Sequence, residues 1–404
     1  MAGSLTIKKF WAQHDKALLR AAISIMLVAS LVWLGYEFWR LWQPALKGGV
    51  DLRLLHGFTQ DWFAGRPIYR ESHSAVHPMA SYVILWPMLG WTTLPVARWL
   101  FAASEVFVLA WCMGFAVREC RAEGLLQRTF AALIPASMYA AGAAIGNGQF
   151  TIHVITLLAA GLLLAGREQR GLRLYLFAPA LVLMAFVKPN ITGFFFWILL
   201  FVPRSPLPAL FVALGYASLT VFAAEFQRSD FVSLIRDLLI RISFVGIRGS
   251  ATGNVANLHI WLNRLGLTEW NLPVTLAALT ALGFWICRHR RVEPWVLLGV
   301  TAYIARMTTY HRWYDDMLIL LPMVALFRIA RERSAEYNTG ITAGILLAAT
   351  MLASIAPGGL FLFPAPWNKL YVAGQVAVWI AGLVFLLRQA GIERKRIIEF
   401  DLPK

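Results

Sequence analysis

Residues 96–118 read Val96-Ala97-Arg98-Trp99-Leu100-Phe101-Ala102-Ala103-Ser104-Glu105-Val106-Phe107-Val108-Leu109-Ala110-Trp111-Cys112-Met113-Gly114-Phe115-Ala116-Val117-Arg118. Almost wholly apolar, the run has about the length that crosses roughly 30 Å of hydrocarbon as a helix. It ends in a basic cluster, Arg118, Arg121 and Arg128, and such clusters mark the cytoplasmic side. Lys8, Lys9, Lys16 and Arg20 precede the first apolar run, 21–42, so the N-terminal tail 1–20 is expected inside and that span exits outside. Between that exit and Arg118 the chain must cross an odd number of times. Two apolar runs lie there, 79–94 and 96–117. Only the second, longer one is expected to cross. The first, interrupted by Pro87, is expected to lie at the outer surface as a juxtamembrane or re-entrant helix.

The same reasoning runs on to the C-terminus. Spans are expected at 129–145, 150–166, 172–187, 190–203, 206–226, 271–288, 294–310, 314–329, 339–356 and 368–388. Inside clusters stand at Arg167/Arg170/Arg173, Arg204, Arg288/Arg290/Arg291, Arg328/Arg331/Arg333 and Arg388 through Arg396. The expectation is therefore one all-α polytopic membrane domain over 1–404 with about twelve crossings. Both tails, 1–20 and 389–404, would be cytoplasmic, and long outer loops would cover 43–95 and 227–270. In the second loop Phe231, Leu234, Ile235, Leu238 and Leu239 recur at helical spacing, the pattern of a helix lying on the membrane surface.

Composition agrees. The chain of 404 residues is 59% hydrophobic and 14% charged, with mean hydropathy +0.62, whereas a soluble domain carries roughly 25% charged residues. A net charge of +16 would suggest nucleic acid in a soluble protein. Here the basic residues fall in short loops between apolar runs, so the charge reads as topogenic and no nucleic-acid partner is expected. Cys112, Cys120 and Cys287 form neither a metal-ligand spacing nor a disulfide framework. The first apolar run continues into Trp39 and Trp42 with no small-residue cleavage pattern after it, so it reads as a signal anchor.

Polar groups near the outer face are the candidates for chemistry, because the cytoplasmic loops are short and basic. The first outer loop carries Asp51, His56, Tyr69, His73 and His77. A carboxylate fixed at a membrane surface can act as a general base if its surroundings tune it; the other reading of Asp51 is a solvated loop residue. Gly146-Asn147-Gly148-Gln149 is either a tight helical hairpin or a place where Asn147 and Gln149 offer donors to a ligand. Lys188, before Pro189 and Asn190, either snorkels or binds phosphate as a point charge. Tyr310-His311-Arg312-Trp313-Tyr314-Asp315-Asp316 combines anion-binding groups with two adjacent acids, which are weak grounds for a metal. Glu105 and Arg306 fall inside apolar runs, where ionisable residues are costly and mark function or pairing. One carboxylate with Lys188, His311, Arg312, Arg306 and Arg248 suits transfer from a phosphate-linked donor, the cations offsetting charge on the leaving phosphate.

The order of these blocks resembles a known family. An early outer-loop Asp followed by Gly65-Arg66-Pro67-Ile68-Tyr69 and a Pro-containing apolar helix is similar to the first loop of GT-C glycosyltransferases. Gly148-Gln149 opening one span, Leu183-Met184-Ala185-Phe186-Val187-Lys188-Pro189 ending another, and the late block Tyr310 to Asp315 with Leu321-Pro322 resemble glycosyltransferase family 87. The similarity runs over roughly residues 45–330. It implies a GT-C fold with outer-face juxtamembrane helices and a polyprenyl-phosphate sugar donor, of mannose or arabinofuranose type. It also implies inverting transfer to a lipid or glycan acceptor without a required metal or cofactor. By position Asp51 matches the family's base, and Lys188 and His311 match residues near the donor phosphate. His56, Tyr69, His77, Asn147, Gln149, Asn190 and Tyr310 would line the substrate. The family's setting implies a bacterial inner membrane with the site facing outward. Two departures leave sugar and acceptor open. His77-Pro78-Met79 stands where the family has Tyr-Pro-Pro, and Leu52 with Leu55-His56 where it has Phe and a Tyr pair. A transporter or flippase of lipid-linked sugars is the main competitor, expected to show inverted repeats and helices broken at midplane. A glycan ligase would share the outer-face cations, and a regulatory subunit would tolerate loss of Asp51.

Overall fold

The computed structural model describes residues 2–69, 75–166, 172–250, 256–309, 311–332 and 337–401, and every regular element among them is a helix. In chain order these are α1 (Ala2–Arg40), α2 (Val50–Phe63), α3 (Met79–Leu89), α4 (Leu94–Glu119), α5 (Gly124–Ser137), α6 (Tyr139–Asn147), α7 (Thr151–Ala165) and α8 (Leu172–Ala185). There follow α9 (Pro189–Thr192), α10 (Phe196–Phe201), α11 (Leu207–Ala224), α12 (Phe231–Ser250), α13 (Leu258–Arg264), α14 (Asn271–His289) and α15 (Pro294–Thr308). A 3-10 helix, Trp313–Ile319, leads into α16 (Leu320–Glu332), then α17 (Tyr337–Leu352), α18 (Gly359–Leu362) and α19 (Trp367–Asp401).

Five helices are long and apolar enough to cross a bilayer, at Lys16–Arg40, Leu94–Glu119, Leu207–Ala224, Thr268–His289 and Trp367–Phe400. They become seven if two sharply bent pairs each count as one span, α6 with α7 (120°) and the end of α8 with α9–α10 (116°). The long helices leave Ile25, Leu31, Phe107, Leu214, Phe284 and Val384 exposed. Such apolar flanks have no place in water, and a bilayer covers them. The chain is an all-α membrane protein.

Two departures from the expected spans have visible causes. The run 129–145 is split at Met138, whose backbone is extended. There Tyr139 N bonds to Ser354 O at 2.9 Å and Ala356 N to Ser137 O at 2.8 Å, so the segment after α17 takes over backbone groups that a continuous helix would pair internally. Pro87 does not interrupt its helix either; α3 runs through it to Leu89. At 11 residues α3 reaches only about 16 Å, half the hydrocarbon thickness. With α2 it docks on α11: Trp62 stacks on Tyr82 at 5.2 Å and its indole donates to Ala223 O at 2.8 Å. On α12 only Leu234 and Leu238 of the expected apolar face are buried, while Phe231, Ile235 and Leu239 of that face are exposed with Val232 and Ile240.

The turn between α6 and α7 fixes where the polar residues meet. Gly148 is left-handed, and a Cβ on it would lie 2.4 Å from Leu52 Cβ. Gly48 packs as tightly, a Cβ there falling 1.6 Å from Arg40 O, and Gly49 N donates to Gly146 O at 2.8 Å. These close backbone approaches bring the start of α2 against the α6–α7 turn. Gly148→Ala is expected to lower the thermal midpoint in detergent. The left-handed backbone alone costs about 1–2 kcal/mol with a side chain, and the overlap with α2 adds to it. An unchanged midpoint contradicts this packing.

Candidate functional site

Asp51 occupies the first turn of α2, where the helix dipole favours a negative charge. Its Oδ2 accepts from Gln149 Nε2 at 2.8 Å. Gln149 is held in turn by Lys188, whose Nζ donates to Gln149 Oε1 at 3.0 Å, Thr151 Oγ1 at 3.0 Å and Asp315 Oδ1 at 2.9 Å. An ammonium has three protons, and here each has an acceptor. The same Nζ lies 4.8 Å from the centre of the Tyr314 ring, a cation–π distance. Tyr314 OH accepts from Gln149 Nε2 at 3.3 Å.

Asp315 closes the group. Besides Lys188 it meets Thr151 Oγ1 at 3.3 Å, His311 Nδ1 at 3.4 Å and the Arg312 backbone N–H at 3.1 Å. His311 is buried, with Nε2 2.6 Å from Thr309 Oγ1 and 3.2 Å from Ala305 O. Four separate stretches, the start of α2, the α6–α7 turn, the α8–α9 break and the approach to the 3-10 helix, therefore meet through one chain of polar contacts.

Its electrostatics follow from burial and cations. Burial raises the Asp51 carboxyl above the ordinary range; the Gln149 hydrogen bond and the nearby Arg312 and Lys188 charges offset part of that. His77 is pushed down to about 4 by burial and by the charge of Lys188, and His311 is also lowered, burial outweighing its Asp315 partner. The arrangement therefore offers one carboxylate poised to take a proton and an exposed guanidinium at Arg312, above a buried Lys188–Asp315 ion pair.

Of the residues singled out from the sequence, Asp51, Gln149, Lys188, His311 and Arg312 come together, and His77 is near enough to feel Lys188 and Asp315. Others do not join. Arg306, expected at the donor phosphate, is fully buried and paired with Asp316. Asp316 also accepts from Tyr139, and the Arg306 guanidinium lies 5.1 Å from the Trp379 ring centre. His56 contacts Thr92 O at 2.8 Å, tying α2 to the turn before α4. Tyr69 donates to His77 O at 2.7 Å beside the Trp62 ring. Asn147 donates to Ala143 O at 2.8 Å within its own helix, and Asn190 is exposed on α9. Tyr310, His73 and the Arg248 side chain lie outside the described residues.

Sequence reading missed Asp315 as the hub, and Thr151 and Tyr314 as members. Asp315 and Asp316 do not converge. One faces Lys188 and His311, the other Arg306 and Tyr139. Among the described residues no three His, Cys, Asp or Glu side chains gather as metal ligands. Protein-family models, curated proteins and solved structures contain no match to this chain.

Breaking a buried ion pair by removing one partner strands the other charge, at a cost of about 3–5 kcal/mol. Lys188→Met and Asp315→Leu should each destabilise the protein by about that much. The double variant should cost clearly less than their sum, because neither charge is then stranded. Thermal or denaturant unfolding in detergent measures the cycle, and additive effects contradict a direct pair.

Proposed function

We propose that the chain is a membrane glycosyltransferase of the GT-C kind, moving a sugar from a polyprenyl-phosphate donor to a lipid or glycan hydroxyl. The proposal includes its twelve-crossing arrangement and a site on the outer face of a bacterial inner membrane. The observation that carries the reading is Asp51, a half-buried carboxylate with a raised pKa, hydrogen-bonded to Gln149 and close to Arg312 at one end of the helix bundle. In the reaction the acceptor hydroxyl oxygen bonds to the anomeric carbon from the face opposite the phosphate. The bond from that carbon to the phosphate oxygen breaks, polyprenyl phosphate leaves, and the hydroxyl proton passes to Asp51. Arg312, exposed beside Asp51, meets the leaving phosphate first. Lys188 and His311 support this site from within. Lys188 is fully engaged, so it reaches a phosphate only by exchanging one acceptor.

One observation favours the second reading, a transporter of phosphate-linked lipids. Both bent helix pairs break at site residues, Gly148-Gln149 and Lys188, and transporters build their sites at broken helices. Those sites lie at midplane, however. Here the α6–α7 turn packs on Glu37 and Arg40 at the end of α1 and on Leu52 of α2, a position at the end of the bundle.

The test uses purified protein in nanodiscs with a panel of polyprenyl-phosphate sugars and a membrane lipid extract. Release of polyprenyl phosphate and sugar incorporation are followed together. Asp51→Asn is expected to fold and to lose activity by about 10²-fold or more, the scale of a lost general base. Full activity in that variant removes Asp51 from the role. Substrate crossing the bilayer unchanged supports transport instead.

The pH profile gives a further check. Asp51 must be deprotonated to act, so activity falls as pH drops through its raised pKa. Gln149→Leu removes a hydrogen bond that lowers that pKa, and Arg312→Gln removes a charge that lowers it. Each should move the acid limb of kcat/KM to higher pH. An unmoved limb in both variants contradicts Asp51 as the titrating group.

A further inference from the structure

Four elements that have one end at Asp51's site have their other end around a second cavity. α7 begins beside Gln149 and ends at Gly166; α9–α10 begin beside Lys188 and end at Val202; α15 ends near His311 and begins at Pro294; and α16 follows the segment containing Asp315 and carries Arg328 near its end. At 15 residues, α7 and α15 separate the two ends by about 22 Å. The cavity there measures about 350 Å³. Its lining includes apolar Leu162, Ile198 and Val202 and charged Arg118, Arg121, Arg328, Glu119 and Glu293.

We infer that this cavity binds the phosphate headgroup of an anionic phospholipid at the bundle end opposite Asp51. Arg328 is only 5% exposed, and its Nε has no hydrogen-bond partner. A buried N–H without an acceptor is costly, and a phosphate oxygen would satisfy it. Neighbouring carboxylates hold the guanidiniums in place. Glu293 meets Arg328 Nη2 at 2.7 Å and accepts from the backbone N–H groups of Trp295 and Val296. Glu119 meets Arg118 Nε at 2.9 Å and the Trp295 indole at 3.2 Å, and Glu332 meets Arg121 Nη1 at 2.8 Å. Each guanidinium has five N–H groups, so donors outnumber those the carboxylates use. The Arg118 and Arg121 side chains are 60% and 63% exposed and can turn their remaining donors on a headgroup.

The apolar wall argues for a lipid over free phosphate. Gly166 lines the cavity beside Leu162, Leu163 and Val202, and a Cβ there would already be in ordinary contact with Val202 Cγ1 at 3.8 Å, so a larger side chain at this position would take up space along the apolar wall. Basic pockets between membrane helices on the arginine-rich side are suited to anionic headgroups.

Native mass spectrometry of the full chain, with phosphatidylglycerol, phosphatidylcholine or inorganic phosphate added stepwise, tests the site. Wild type is expected to retain phosphatidylglycerol over phosphatidylcholine by at least about tenfold, and to show no phosphate adduct. Arg118→Gln with Arg121→Gln should lose that preference. Gly166→Leu, which keeps the charges and takes up space along the apolar wall, should weaken retention of the lipid. Equal retention of the two lipids, or unchanged retention in the arginine double variant, overturns the inference. Adducts of inorganic phosphate without lipid overturn the lipid assignment. The two arginines are exposed, so the double variant decides the matter even if Gly166→Leu fails to fold.

Discussion

The Lys188–Asp315 contact is the constraint on which the candidate site depends. A buried ammonium beside a buried carboxylate is tolerable only when both are fully hydrogen-bonded, and here they are. Satisfying Lys188 requires Gln149 and Thr151 at the α6–α7 turn, and satisfying Asp315 requires the approach to the 3-10 helix. Gln149 can then reach Asp51 only because Gly148 lets α2 come close. The position of one candidate base is thus the sum of one ion pair, one amide and one glycine.

The long apolar helices and the shortness of α3 were legible in the sequence, because apolar length reports directly on what can cross a bilayer. The meeting of Asp51, Gln149, Lys188 and His311 was also expected, through their common position at span ends. The hub at Asp315 was not. Adjacent acids look like one cluster in a sequence, but at three residues per turn a 3-10 helix turns neighbouring side chains about 120° apart. Asp315 and Asp316 accordingly serve separate networks. Arg306 looked like a ligand for phosphate because its partner Asp316 lies in the next element. The split at Met138 was hidden within an unbroken apolar run, since its cause is a long-range backbone pairing with Ser354 and Ala356.

The two ends of the bundle use charge differently. At Asp51's end the charges are few, with Lys188 and Asp315 buried as a pair beneath half-buried Asp51 and exposed Arg312, which suits a site whose proton affinity must be set. At the other end exposed Arg118, Arg121 and Glu332 surround a buried Arg328 and share partners with it and with Glu119 and Glu293, which suits contact with a headgroup layer. Short helices such as α7 and α15 link the two ends, so packing in the apolar middle holds both in register.

The most direct measurement is a cryo-electron microscopy map of the protein in nanodiscs with a non-transferable polyprenyl-phosphate sugar. The account predicts the sugar's anomeric carbon beside Asp51 and the phosphate against Arg312, with Gln149 and Lys188 still joined. Density for the headgroup at the bundle's midplane, or anywhere out of reach of Asp51, contradicts it.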